Sequence, residues 1–208
     1  MFQKALHNKT RKVLDKLAKV QFVGDNFYLA GGTALALQLG HRVSVDLDFF
    51  SEDEIKQKII LNKLNQFNIE VISETEGSLD IIIEGVKLSF LEYKYPLLED
   101  FVEYEQIKIA GKKDIACMKI SAISSRGSKK DFFDLYFLLK EYSLVDIFEF
   151  MHKKYPNISF TDTHFLKSLT YFDDADDDPD PDILLKISWD EVKEELKRRV
   201  VTERRFLL

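Results

Sequence analysis

Residues 27–50, FYLAGGTALALQLGHRVSVDLDFF, constrain this chain more than any other stretch. They read as a strand at 27–30, a glycine turn, a short apolar helix over 33–39 and a second strand over 43–50. Gly40 closes the helix at the position where a left-handed cap costs least. In the second strand Val43, Val45, Leu47 and Phe49 alternate with Ser44, Asp46 and Asp48. Strand side chains alternate between faces, so both aspartates point the same way, about 7 Å apart along the strand. Like charges so placed repel unless water or a cation lies between them. Mg²⁺ prefers carboxylate oxygens, keeps open positions and brings nucleotide phosphates with it. A Gly-Gly turn entering a helix N-terminus offers backbone N–H groups to such phosphates. Each feature also has an ordinary use, since D-x-D occurs on half-solvated strands and Gly-Gly is a common turn.

The rest of the chain supplies an α/β half followed by an α half. A helix is predicted over 3–20, with Leu6, Val13, Leu14, Leu17 and Val20 as its apolar stripe. Ser51-Glu52-Asp53-Glu54 reads as a capping box opening a helix to about residue 67. Strands are predicted over 69–74, 79–84, 86–92 and 101–110, with Glu84-Gly85 as a tight hairpin turn. From residue 113 the period becomes helical, over 113–125, 131–142 and 144–154. Ser188, with Glu191 three residues on, caps a last helix to 205. The aspartate tract 173–182, with Pro179 and Pro181, reads as a solvated loop or linker, or as a phosphate-like chain of charge laid against the basic face.

Composition bears on partners and compartment. No run of 18 apolar residues occurs, so no transmembrane helix is expected. Cys117 is the single cysteine and cannot form an internal disulfide, which fits a reducing cytoplasm. His7, His41, His152 and His164 lack metal-ligand spacing, so zinc is not expected. The net charge is −6, yet Asp173, Asp174, Asp176, Asp177, Asp178, Asp180 and Asp182 supply −7, so the remainder is close to neutral. Between residues 108 and 130, Lys108, Lys112, Lys113, Lys119, Arg126, Lys129 and Lys130 stand against Asp114, a basic region of the kind that meets phosphates. Lys193, Lys197, Arg198 and Arg199 give the last helix a basic face, suited to RNA or simply solvated.

A second informative stretch is KISAISSRGSKKDFFDLYFLL, residues 119–139. Lys119 shares a helical face with Ile115, Ala122 and Ile123, so its stem snorkels or its head reaches a buried anion. Ser128-Lys129-Lys130-Asp131 fits a capping box, which gives Asp131 a plain helix-cap reading beside a chemical one. Asp131 and Asp134 share one face near the positive end of a helix dipole.

GGT, about a dozen residues and then D-x-D resembles the active-site signature of the DNA polymerase β-like nucleotidyltransferase superfamily. GGTALAL, R-x-S-x-DLDFF, K-x-SA and KDFFDLYFLL together resemble the AbiEii/AbiGii toxin family, over residues 27–140. The resemblance implies an α/β (α+β) fold, with a mixed-sheet nucleotidyltransferase domain over 1–110 and a helical domain over 111–208. It implies Mg²⁺-dependent transfer of a nucleotide from an NTP to an acceptor, RNA (for some relatives the tRNA 3′ end) or protein, with a catalytically inactive nucleotide- or antitoxin-binding protein of the same fold as the alternative. It also implies a toxin role with a cognate antitoxin. By the same resemblance Gly31, Gly32 and Thr33 form the phosphate-binding turn and Asp46 and Asp48 hold the metal. Lys119 lies near the triphosphate, and Arg126, Lys130, Asp131 and Asp134 belong to the helix motif. Arg42 and Ser44 match a position beside D-x-D. The superfamily places a third carboxylate on a later strand to activate the attacking hydroxyl. Ser89 stands at that place here; Glu92, Asp80, Glu84 and Asp131 are the alternative acids.

Overall fold

The computed structural model describes residues 1–206. Among them seven strands form one mixed sheet. Along the chain these are β1 (Tyr28–Ala30), β2 (Leu47–Ser51), β3 (Ile69–Thr75), β4 (Ser78–Ile83), β5 (Val86–Glu92), β6 (Val102–Tyr104) and β7 (Ile107–Ile109). Their order across the sheet is β3-β4-β5-β2-β1-β7-β6, which puts the aspartate strand in the middle. β2 runs parallel to β5 and antiparallel to β1. Helices α1 (Asn8–Leu17), α2 (Gln21–Asn26), α3 (Gly31–Leu39) and α4 (Gln57–Lys63) accompany the sheet. Leu29, Leu47, Phe49 and Phe90 are fully buried, and the Phe49 and Phe90 rings stack at 5.4 Å between paired strands. That burial, typically about 1.5–3 kcal/mol per large apolar side chain, fixes which face of β2 carries the aspartates.

The chain divides into two compact units. The first holds Met1–Tyr95 and Asp100–Ala110; the second holds Pro96–Glu99 and the chain from Gly111 onward. The second unit is helical, with α5 (Lys112–Arg126), α6 (Lys129–Leu138), α7 (Leu144–Lys154), α8 (Asp162–Ser168), α9 (Asp173–Asp176) and α10 (Trp189–Glu203). Segment 96–99 joins it for an electrostatic reason. Lys154 and Asp114 are fully buried and 2.5 Å apart. Lys154 Nζ also donates to the Pro96 carbonyl at 3.0 Å, and Asp114 accepts from the Leu98 N–H at 3.1 Å. A buried ion pair is tolerated only when such extra bonds satisfy both ends.

Several elements differ from the sequence pattern, each for a local reason. The helix predicted over 3–20 is a 3₁₀ turn at Gln3–Ala5 followed by α1. Residues 5–7 are unavailable to a helix because they bond to Ser44: Ser44 N–H donates to Ala5 O at 2.8 Å, and His7 N–H donates to Ser44 O at 3.1 Å. The same bridge delays β2 to Leu47. Ser51 ends β2 instead of opening a helix, and α4 begins only at Gln57. The single strand predicted over 101–110 is a hairpin, β6–β7, which turns where Glu105 takes φ +52°. Ser188 and Glu191 do form their capping box.

The acidic tract is not a plain solvated loop. Its Asp178 carboxylate accepts from Ser128 Oγ at 2.8 Å and from the Lys129 N–H at 2.9 Å, capping α6. Lys129, though 5% exposed, reaches Asp178 O at 2.5 Å and Asp180 Oδ1 at 3.1 Å. A buried ammonium and the open N–H groups of a helix start both need acceptors, and the tract supplies them.

Candidate active site

The first cluster of expected site residues lies in the sheet unit. β1 ends at Ala30, opposite Asp48 in the β1–β2 register. The next residue, Gly31, takes φ +69° and opens α3. A Cβ built on Gly31 would lie 3.1 Å from Asp48 Oδ2, so the backbone there passes directly against the carboxylate. Glycine is required by both conditions, the left-handed φ and the close approach. The N-cap residue, Ala30, has no side chain that can cap α3, and the first turn of the helix starts beside Asp48. Gly31→Ala should cost about 1–2 kcal/mol of stability and push Asp48 aside. Thermal melting together with Mg²⁺-dependent NTP titration checks both effects.

Thr33 also braces the turn. It is 1% exposed, and its hydroxyl bonds Ser44 Oγ at 2.7 Å and the Asp46 carbonyl. The hydroxyl is a brace that fixes the backbone of Asp46. Ser44 is buried as the partner of that brace, and Arg42 is buried with Nη1 donating to the Val43 carbonyl at 3.2 Å. Asp46, just ahead of β2, and Asp48 within it are half-buried.

Strand register sorts the alternative acids. Asp48 pairs with Ser89 across β2–β5, and Ser89 pairs with Asp80 across β4–β5. Registered neighbours share a face, so Asp48, Ser89 and Asp80 form one row. Glu92 falls on the opposite face by alternation and pairs with Lys94 at 2.5 Å. Glu84 sits in the β4–β5 turn and pairs with Lys16. Asp80 is thus the acid on the Asp48 face, two strands away, with Lys87 at 3.7 Å. Among the described residues no group of three or more His, Cys, Asp or Glu side chains is gathered to hold a metal. Two carboxylates with a glycine turn beside one of them do fit Mg²⁺, which commonly takes one or two protein carboxylates and completes its shell with phosphates and water.

The second cluster lies in the helical unit. Lys119, 4% exposed on α5, sits 2.7 Å from Asp131 Oδ1 and 2.5 Å from Asp134 Oδ2 on α6. Arg126 adds Nε to Asp131 Oδ2 at 2.9 Å and Nη2 to Oδ1 at 3.2 Å. Both aspartates are fully buried. The head of Lys119 has therefore reached buried anions, one of the two readings its place among apolar neighbours allowed. Asp131 is not a capping-box residue, since its carboxylate faces Lys119 and Arg126 while Ser128 turns to Asp178. Burial alone would raise the Asp131 carboxyl, but the Lys119 charge and then Arg126 hold it below the ordinary carboxylate range. A carboxylate held so low is a weak proton acceptor. Lys130 is exposed at the start of α6. On α10, Arg198 and Arg199 are engaged by Glu195, which offsets the basic face read from the sequence.

Comparisons with known proteins agree with this architecture. The family model described as nucleotidyl transferase AbiEii toxin, type IV TA system, matches residues 12–109, the segment holding Gly31, Asp46 and Asp48. An uncharacterized protein of Aquifex aeolicus (strain VF5) is 41% identical over 202 residues, covering 94% of this chain and 96% of its own. Among solved structures, JHP933 from Helicobacter pylori is similar at TM-score 0.57 and 20% identity, covering 97% of this chain and 94% of that one. MenT4, a nucleotidyltransferase toxin from Mycobacterium tuberculosis H37Rv, is similar at TM-score 0.56 and 14% identity, covering 97% and 89%. These two likenesses concern the fold, and they agree with the mixed α/β sheet and helices read from the sequence. Taken with the glycine turn packed on the D-x-D strand, these matches assign residues 12–109, which hold the candidate site, to the AbiEii nucleotidyltransferase toxin family.

Proposed function

We propose that this protein transfers a nucleoside monophosphate from an NTP to a hydroxyl acceptor, with RNA such as a tRNA 3′ end as the acceptor class, in a cytoplasmic setting. It would act as the toxin of a toxin–antitoxin or abortive-infection pair whose antitoxin holds it in check. The observation that carries the reading is the approach of Gly31, the first residue of α3, to the Asp48 carboxylate. Bound there, Mg²⁺ would supply charge to the phosphates and orient the triphosphate. Asp46 and Asp48 would hold it, and the Gly31–Gly32 turn would offer N–H groups to the phosphates. In the reaction the acceptor oxygen bonds to the α-phosphorus, the bond to pyrophosphate breaks, and the acceptor proton passes to a base. Asp131 suits that base poorly, being held by two cations; Asp80, on the Asp48 face, is the better placed carboxylate. We assign Asp131 and Asp134 to holding Lys119, and Asp131 also to holding Arg126, within the helical unit. Calorimetric titration with each NTP tests the site. Binding should need Mg²⁺ and be lost in Asp46→Asn, and Mg²⁺-independent binding unaffected by that change would overturn the assignment.

Ser89, directly beside Asp48 in the register, favours a second reading. A nucleotidyltransferase fold without an acid there can hold a nucleotide or an antitoxin and not turn over. Binding without transfer under the same conditions is its signature.

A further inference from the structure

A cavity of about 400 Å³ opens in the helical unit, where the end of α5 faces α8 and the start of the acidic tract. That volume suits a small organic ligand. Its wall brings together Ser124, Arg126, His164, Lys167, Tyr171 and Asp174. Arg126 has a side chain 58% exposed, yet its orientation is fixed by the fork onto buried Asp131. It is therefore a preorganised cation on the cavity wall, of the kind that meets phosphate. Lys167 is exposed and makes no ion pair among the described residues. Tyr171 is 53% exposed, an aromatic face not spent on the core. Ser124 Oγ and His164 Nε2 lie 2.8 Å apart and offer donor and acceptor groups to hydroxyls. Asp174 lies across Gly127, and with Asp173 it raises the Tyr171 hydroxyl pKa, so negative charge gathers on the tyrosine side. Phosphate accordingly belongs with Arg126 and Lys167, while a carboxylate beside the ring can accept from sugar hydroxyls or base amino groups.

Two cations, a bare ring and a hydroxyl-binding pair match the phosphate, base and sugar of one nucleotide. We propose that this cavity binds a single nucleotide unit, with its phosphate between Arg126 and Lys167 and its base against Tyr171. The purpose of the site rests on the transfer reading above: the unit is either the unpaired end of an acceptor RNA or a free nucleotide.

The full chain is titrated with a fluorescein-labelled short single-stranded RNA and, separately, with Mg²⁺-ATP. For a strand end, Tyr171→Ala should weaken RNA binding about tenfold or more, and Tyr171→Phe should keep it, because stacking needs only the ring. Lys167→Ala should weaken RNA binding and lower the salt dependence by about one phosphate contact. Mg²⁺-ATP affinity should not change. Weakening confined to Mg²⁺-ATP assigns the cavity to free nucleotide and still supports the site. Binding of both ligands that ignores Tyr171 and Lys167, or no binding of either by the wild type, overturns it. Asp48→Asn separates this inference from the transfer reading. Tyr171-dependent RNA binding that persists in Asp48→Asn, while the wild type transfers nothing, removes the transfer reading and leaves the cavity standing.

Discussion

Asp48→Asn is expected to lower nucleotide transfer on the order of a thousandfold and leave the fold intact. The loss corresponds to roughly 4 kcal/mol of transition-state stabilisation, the several kcal/mol that a well-placed metal ion supplies. Asparagine keeps the size of the side chain, so its contact with Gly31 survives. It removes one of two neighbouring charges and so relieves repulsion with Asp46, and the melting temperature should hold or rise slightly. Initial rates and melting measured on one preparation check both halves. A variant that keeps the wild-type rate contradicts the metal assignment; one that melts far lower shows that Asp48 holds the sheet.

Lys119→Ala is expected to act first on stability. The substitution would take the Lys119 ammonium away from Asp131 and Asp134, both fully buried, while Arg126 still bonds Asp131. Breaking a buried ion pair by removing one partner costs about 3–5 kcal/mol, because a charge is left behind without its counter-ion. A phosphate contact alone predicts the opposite pattern: NTP affinity lost and stability unchanged. Denaturant unfolding beside NTP titration tells the two apart. The pH dependence has a fixed sign. The Asp131 carboxyl lies below its ordinary value in the folded chain, so its contribution is present above the unfolded pKa and lost as pH falls through the folded one. Without Lys119 the folded pKa rises, so acid unfolding should begin at higher pH in the variant.

Much of the sheet was legible because its signals are local. The Phe27–Phe50 alternation placed β1, α3 and β2, and Gly40, with φ +65°, ends α3 as its position implied. One further step was available in the same sequence. A two-residue turn at Glu84-Gly85 pairs Ile83 with Val86, which by counting pairs Asp80 with Ser89. That register alone separates Asp80 from Glu92. Other features depended on contacts distant in sequence. Nothing near Thr33 announces that its hydroxyl will hold Asp46 O. A capping box at Ser128 was reasonable from spacing, and it lost to Asp178, 50 residues on. The aspartate tract looked solvated because composition cannot show that Lys129 is buried beneath it. Residues 5–7 read as helix because helical periodicity does not register a bridge to Ser44.

The most direct measurement is to incubate the protein with α-phosphate-labelled NTPs, Mg²⁺ and total RNA, and follow the label. The account predicts label joined to RNA by the wild type, little or none by Asp48→Asn, and none when Mg²⁺ is chelated. Equal labelling by Asp48→Asn, or no labelling by a wild type that binds Mg²⁺-NTP, would contradict it.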